Sequence, residues 1–389
     1  MNQGRTVFAQ VIAHAPHKAF QHCVARYPGV RRARRFTCWD QFLCMVFAQL
    51  TYRESLRDIE ACLGAVPERL YHMGIRSLVS RSTLADANER RDWRIYADFA
   101  QVLIAEARLL YAEDDFGVTL EETVYALDST TIGLCLSLFP WAPFRRTKAG
   151  IKLHTLLDLK GSIPSFLRIT PARTSDVSLF DELPLEAGAI YVMDRGYVDF
   201  ARLHRFTRAQ ASFVVRAKKN LRFQRRYSHE VDRSTGLLCD QTISLVTPRS
   251  RDGYPDPLRR VRSRDPVSGR RITLLTNNFV LSAWEIAELY RCRWQVELFF
   301  KWIKQHLRIK AFYGTSDNAV RTQIWIAISS YVLVAILKKR LQTELNLYTM
   351  LQILSVSLFE KTELGDTFSP AKSRISQEST CKQLLLFDL

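Results

Sequence analysis

Residues 282–308 read SAWEIAELYRCRWQVELFFKWIKQHLR, and the rest of the chain is read outward from them. Ser282 is a favourable N-cap, and Glu285 three residues later completes a capping box. No Gly or Pro interrupts the stretch, so it predicts a single helix of about seven turns. At roughly 100° per residue, Tyr290, Arg293, Glu297 and Lys304 fall within an arc of about 60°. Leu289, Val296, Phe299, Phe300 and Ile303 make up the other, apolar side. One helix thus lines up a phenol, a guanidinium, a carboxylate and an ammonium. The plainer explanation is an exposed ionic stripe, Arg293 with Glu297 at i,i+4. Trp294, Phe299, Phe300 and Trp302 make the helix too apolar to be mostly solvated.

The 389 residues suffice for a sizeable core and roughly two to four modules. With 47% apolar and 11% aromatic residues the chain reads as globular. Its 56 Lys and Arg against 39 Asp and Glu leave a charge of +17, which points to a polyanionic partner, nucleic acid first. A membrane surface is disfavoured, because no basic amphipathic segment adjoins an apolar anchor. MNQGRTVFAQVIAHAPHKAF, at the start, has neither the apolar centre nor the cleavage site of a signal peptide. IWIAISSYVLVAIL (324–337) falls short of the roughly 20 residues that span a bilayer and reads as a buried core helix. The eight cysteines form no C-x-x-C pair, which disfavours zinc and fits a reducing cytoplasm.

Residues 1–115 read as all helix, with FTCWDQFLCMVFAQL (36–50) as the core helix. Just before it, Arg31, Arg32, Arg34 and Arg35 form a basic patch. SLRDIEACLGAV (55–66) and SRSTLADANERRDW (80–93) suggest a helix-turn-helix, with Ser82 capping a second helix that carries Asn88, Arg90 and Arg91. An ordinary helical bundle with a basic face is the alternative. From Glu121 the pattern changes to period two. TVYALDSTTIGLCLS (123–137), which contains Asp128, IKLHTLLDLKG (151–161) and IPSFLRITPAR (163–173) read as three strands. A short helix (174–183), the strand AIYVMDRGY (189–197) with Asp194, a helix (199–210) and the strand ASFVVRAKK (211–219) follow.

That order is the order of a ribonuclease H-like core, whose first and fourth strands are neighbours. Asp128 and Asp194, 66 positions apart, would then meet. Taken singly, Asp128 reads equally as a solvent-facing strand end, and Asp194 as a turn residue before Gly196. Residues 220–280 hold four more strand-like segments and are strongly basic, with Arg222, Arg225, Arg226, Arg259, Arg260, Arg262, Arg264, Arg270 and Arg271 among their arginines. A helix starting near Ser316 carries the 324–337 run and is expected to complete the core. Residues 341–359 are amphipathic, and the tail from about 365 is polar.

Three motifs carry a family resemblance: Leu127-Asp128-Ser129-Thr130, Asp194-Arg195-Gly196-Tyr197, and the spacing Y-x2-R-x3-E-x6-K of Tyr290, Arg293, Glu297 and Lys304. In this order they resemble the signature of the DDE transposases of bacterial insertion sequences, the IS-four-like group, over about residues 36–340. The resemblance implies an α/β chain: a ribonuclease H-like catalytic core, a mostly β insertion and an all-helical N-terminal DNA-binding domain. The segments are 1–115 (helical domain), 116–219 and 281–345 (core), 220–280 (insertion) and 346–389 (C-terminal helix and tail).

The same resemblance implies that Asp128, Asp194 and Glu297 are catalytic and hold two Mg²⁺ ions, which Mn²⁺ can replace. Tyr290, Arg293 and Lys304 would contact DNA near the scissile phosphate, and Trp294 would either stack on an unpaired base or pack in the core. Arg31, Arg32, Arg34 and Arg35 would hold phosphates, and Asn88, Arg90 and Arg91 would reach base edges. The expected partner is double-stranded DNA, transposon ends and target, bound by a homodimer in the bacterial cytoplasm at the nucleoid, with no membrane. The expected function is metal-dependent cleavage and strand transfer at terminal inverted repeats. A repurposed or inactive DNA-binding descendant is the alternative, and a non-transposing metal nuclease comes third.

Overall fold

The computed structural model describes residues 4–27, 35–118, 120–265, 269–306 and 312–369. Before the first strand each described element is helical: α1 (Val7–Ile12), α2 (His17–Ala25), α3 (Cys38–Leu50), α4 (Leu56–Gly64), α5 (Pro67–Leu70), α6 (Arg81–Arg90) and α7 (Arg94–Leu110). Side-chain caps explain several of the starts. Thr37 with Asp40 and Ser55 with Asp58 form capping boxes at α3 and α4. At α6 the cap is Ser80, whose hydroxyl accepts from the Thr83 N–H, and not Ser82 as the sequence suggested. Ser80 has extended backbone, whereas Ser82 already lies inside the helix.

One sheet contains the ten described strands: β1 (Val124–Leu134), β2 (Pro143–Arg145), β3 (Lys148–Asp158), β4 (Ile163–Pro171), β5 (Ile190–Met193), β6 (Ser212–Arg216), β7 (Phe223–His229), β8 (Leu237–Leu245), β9 (Leu258–Arg264) and β10 (Arg271–Thr276). The order is β2-β3-β1-β5-β6-β10-β9-β8-β7, with β4 also paired to β3. β1 runs antiparallel to β3 and parallel to β5, and β5 runs parallel to β6. α8 (Phe200–Arg208) connects β5 to β6. Tyr125, Leu127, Tyr191, Met193, Phe213 and Val215 pack in one cluster with Leu203 and Phe206 of α8. Strand alternation therefore turns positions 124, 126, 190 and 192 to the opposite face, and positions 128 and 194 share that parity.

The four insertion strands appear where their alternation placed them, but they do not form a separate sheet. β10 pairs antiparallel with β6, so the insertion extends the core sheet. After α9 (Pro248–Gly253) and β10 come α10 (Ala283–Cys292) and α11 (Trp294–His306). α10 packs against β5, β6, β8 and β9, with Ile286 and Leu289 fully buried. Arg259 in β9 forms a buried pair with Asp240 of β8 at 2.8 Å and donates to the carbonyls of Asn278 and Leu281, just before α10.

By internal contacts the chain divides into two units, residues 1–103 with 303–389 and residues 104–302. In the first unit, α12 (Asp317–Arg340) packs on α3, α6 and α13 (Leu347–Ser357), and α14 (Leu364–Thr367) follows. α12 was expected to complete the catalytic core; its partners here are the N-terminal helices. The reason lies in α3, which is buried on every side and needs apolar cover all round. By length and composition α12 is able to cross a membrane, but its apolar window is 94% buried in protein, as a core helix requires.

Candidate active site

Strand register brings the two aspartates together. Leu127 pairs with Met193, so Asp128 and Asp194 are the next residues on adjacent parallel strands. Here β5 ends, while β1 continues beside β3 as far as Leu134. The carboxyl ends of parallel strands are where open α/β sheets hold their ligands. The Ser129 N–H donates to Asp128 Oδ1 at 2.8 Å.

The helix over this sheet end begins as its sequence predicts, with Ser282 and Glu285 exchanging a capping box. It is not one unbroken α-helix, however. At Arg293 the backbone tightens to three-residue spacing, Arg293 N–H to Tyr290 O at 3.3 Å and Val296 N–H to Arg293 O at 3.1 Å, which separates α10 from α11. Around this joint, Tyr290 donates its hydroxyl to Asp194 Oδ1 at 3.0 Å. Arg293 donates from Nη1 to Asp128 Oδ2 at 2.9 Å and from Nη2 to Glu297 Oε1 at 2.7 Å. The Arg293–Glu297 pair does form at i,i+4, but the guanidinium is only 14% exposed and also grips a strand carboxylate, so it is no solvated stripe. Its Nε is buried without a hydrogen-bond partner.

Burial pushes the Asp128 carboxyl above the usual carboxylate range, and Glu297 and Asp194 push the same way. Arg293 and the Ser129 N–H act against them. Burial also raises Tyr290 to about 12, with Asp194 adding to it, so Tyr290 is a neutral donor at physiological pH. For Arg293, burial opposes the charge but Asp128, Tyr290 and Glu297 outweigh it, and its pKa rises. Arg293 thus links Asp128 to Glu297, and Tyr290, three residues earlier, holds Asp194. Among the described residues no three His, Cys, Asp or Glu groups stand gathered as a ready metal cage; the Arg293 guanidinium binds Asp128 and Glu297 both.

Residues 119–333 match the family profile described as Transposase DDE domain. The chain belongs to the DDE transposases. A Domain of unknown function (DUF4372) profile matches residues 3–76. A putative transposase, y4zB, of Sinorhizobium fredii is 32% identical over 72% of this chain and 78% of its own length. A probable transposase for insertion sequence element IS5377 of Geobacillus stearothermophilus is 35% identical over 53% and 54%. A putative transposase for element IS4SA of Synechocystis is 23% identical over 67% and 72%. The chain is thus a bacterial insertion-sequence DDE transposase, a polynucleotidyl transferase and endonuclease, and DDE transposase domains generally use divalent metal ions.

Not all of the DNA contacts expected of this transposase agree with its structure. Asn88 does not reach outward: it is buried, accepting from Gln41 Nε2 at 2.7 Å. Arg91 is also turned inward, donating to the carbonyl of Thr37 at 2.6 Å, to Gln41 Oε1 and to the Phe36 carbonyl. Leu84, Ala87 and Asn88 are the buried positions of α6, which packs on α3, α4 and α12, and Arg91 follows directly as its C-cap. The Arg90 head is exposed beside Asp86. Arg35 is exposed, while Arg31, Arg32 and Arg34 lie outside the described residues. Trp294 is 56% exposed, which removes core packing as its explanation. Lys304 is half-buried in α11, about two turns beyond Glu297.

Sequence reading missed Arg216. Met193 pairs with Val215, so Arg216 stands beside Asp194, its Nη1 4.0 Å from Oδ1. The available signal was an arginine ending the apolar strand SFVVR at the same sheet edge.

Proposed function

We propose that the chain binds the ends of an insertion sequence and cuts and joins DNA there, with Asp128, Asp194 and Glu297 as metal ligands on a ribonuclease H-like core. The observation that carries this reading is the β1–β5 register, which sets Asp128 beside Asp194 under a helix joint whose Arg293 reaches Asp128 and Glu297 together. The strand order β4-β3-β1-β5-β6, with β1, β5 and β6 parallel, supports the core assignment.

The donor set fits hard divalent cations such as Mg²⁺ or Mn²⁺: three carboxylates, two of them already sharing a positive charge. When bound, a pair of such ions lowers the pKa of an attacking oxygen and stabilises the leaving one. The residues supply the rest. Tyr290 and Arg216 fix the Asp194 carboxylate, and Ser129 fixes Asp128. Arg293 and Lys304 supply cations for the phosphate backbone. Exposed Trp294 offers a stacking face for an unpaired base. In the first step an oxygen–phosphorus bond forms from water, which gives up a proton, while the bond to the 3′ oxygen breaks and that oxygen takes up a proton. In the second, the freed 3′-hydroxyl attacks another phosphodiester by the same exchange, on target DNA bound by a homodimer.

Cleavage of labelled element ends by Glu297→Gln tests the reading. Cutting should vanish while end binding stays near the unaltered level, because a metal ligand is lost and no phosphate contact. Unimpaired cutting would overturn the assignment.

A further inference from the structure

The joint between β1 and β5 has a structural weakness at the point where the candidate site needs rigidity. From Val124 to Leu127, β1 is flanked by β5 and β3; from Asp128 onward it keeps only β3. Asp128 therefore sits on backbone whose one ladder has just ended. Its carboxylate takes a hydrogen bond from Arg293 at Oδ2 and one from the N–H of Ser129 at Oδ1, so its aim depends in part on how firmly Ser129 is held.

A side-chain network holds that residue. Ser129 Oγ donates to Asp176 Oδ1 at 2.7 Å. The same oxygen accepts from Lys152 Nζ at 3.0 Å, and Lys152 also donates to the Thr174 carbonyl at 2.7 Å. His154 Nδ1 lies 3.7 Å from that oxygen, with Nε2 3.0 Å from Thr170 Oγ1. Burial lowers His154 to about 4, so at neutral pH it adds no charge and the Lys152–Asp176 pair is balanced. Lys152 is only 13% exposed and Asp176 33%. From the second-aspartate motif, Tyr197 brings a buried hydroxyl whose ionisation is opposed by burial and by the charges of Asp128 and Asp176. A largely buried ion pair adds little net stability against an apolar alternative, so its contribution here is geometric.

We propose that Asp176 is a positioning residue for Asp128, acting through the hydroxyl of Ser129 and neutralised by Lys152. The inference rests on the reading of Asp128 as a metal ligand. The contacts of Asp176 run to Ser129, Lys152 and His154; in this role it replaces the lost sheet pairing and fixes the direction of Asp128. Partners behind a metal ligand typically change affinity about 10–100-fold when removed.

The test titrates Mn²⁺ itself into the full chain without DNA, read by its paramagnetic resonance, with end binding and thermal melting measured in parallel. Asp176→Ala should weaken Mn²⁺ binding about tenfold and leave binding of end DNA unchanged. Ser129→Ala should do the same, and the double variant should be no worse than either single one, because both cut one chain of contacts. If Asp176→Ala fails to melt cooperatively, Ser129→Ala carries the test alone, since it leaves the Lys152–Asp176 pair intact. Mn²⁺ affinity within twofold of the unaltered protein in the folded variants, or strictly additive losses, would overturn the inference. Asp128→Ala serves as the control: if it too keeps full Mn²⁺ affinity, the reading of Asp128 as a ligand has failed, and not the role of Asp176 alone.

Discussion

Arg293→Ala removes the shared counter-charge of Asp128 and Glu297, and its cost can be worked from the geometry. The Arg293–Asp128 pair is 2.9 Å long with side chains 14% and 22% exposed, whereas Glu297 is 57% exposed. Breaking a fully buried pair costs about 3–5 kcal/mol. Discounting for the partial exposure of Asp128 leaves about 2–3 kcal/mol, and the solvated Glu297 pair adds only about 0.3–0.5. For a unit of 150–250 residues that lowers Tm by about 5–10 °C. The sign of the pH dependence follows from Asp128, whose carboxyl burial already raises and Arg293 lowers. Without Arg293 it rises further. Between the unfolded and folded pKa the native state binds more protons, so stability falls as pH rises through that window. The Tm loss should therefore be larger at pH 8 than at pH 5. Adding Asp128→Asn should recover more than half of it by removing the uncompensated charge. Thermal melts of the single and double variants at both pH values decide the matter. A Tm within about 1 °C of the unaltered protein, or a loss that grows toward acid, would refute the reasoning.

Asn88→Ala should destabilise by about 1–3 kcal/mol in a denaturant melt, since Gln41 loses a buried acceptor, while band shifts show unchanged preference for end DNA. Trp294→Ala should leave stability within about 0.5 kcal/mol, because the indole is exposed, yet weaken binding of cleaved ends that carry an unpaired base; equal binding would remove the stacking role. Asp240→Ala strands the buried guanidinium of Arg259 and should cost about 3–5 kcal/mol in the same melt, far more than any exposed arginine of the insertion.

Much of this architecture can be read from residue patterns because the determinants are local. Period-two runs marked the strands, and Ser282 with Glu285 marked the start of α10. What escaped depends on tertiary contacts. The inward turn of Asn88 and Arg91 is invisible in a helix as polar as RSTLADANER, because only packing on α3, α4 and α12 makes its inner face a buried one. The joint at Arg293 breaks no propensity rule; it coincides with two carboxylates pulling on one guanidinium. That the insertion shares the core sheet is a pairing choice between β10 and β6 that neither strand announces. Arg216 and Asp176 are ordinary in sequence and acquire a role only through register.

The claim that Asp128, Asp194 and Glu297 form one metal site is tested most directly by calorimetric titration of Mn²⁺ into the full chain and into the three single carboxylate-to-alanine variants. Each variant should lose at least tenfold in affinity, roughly alike, because each removes one ligand from a common site. A variant that binds Mn²⁺ as tightly as the unaltered protein, Asp194→Ala above all, would contradict the account.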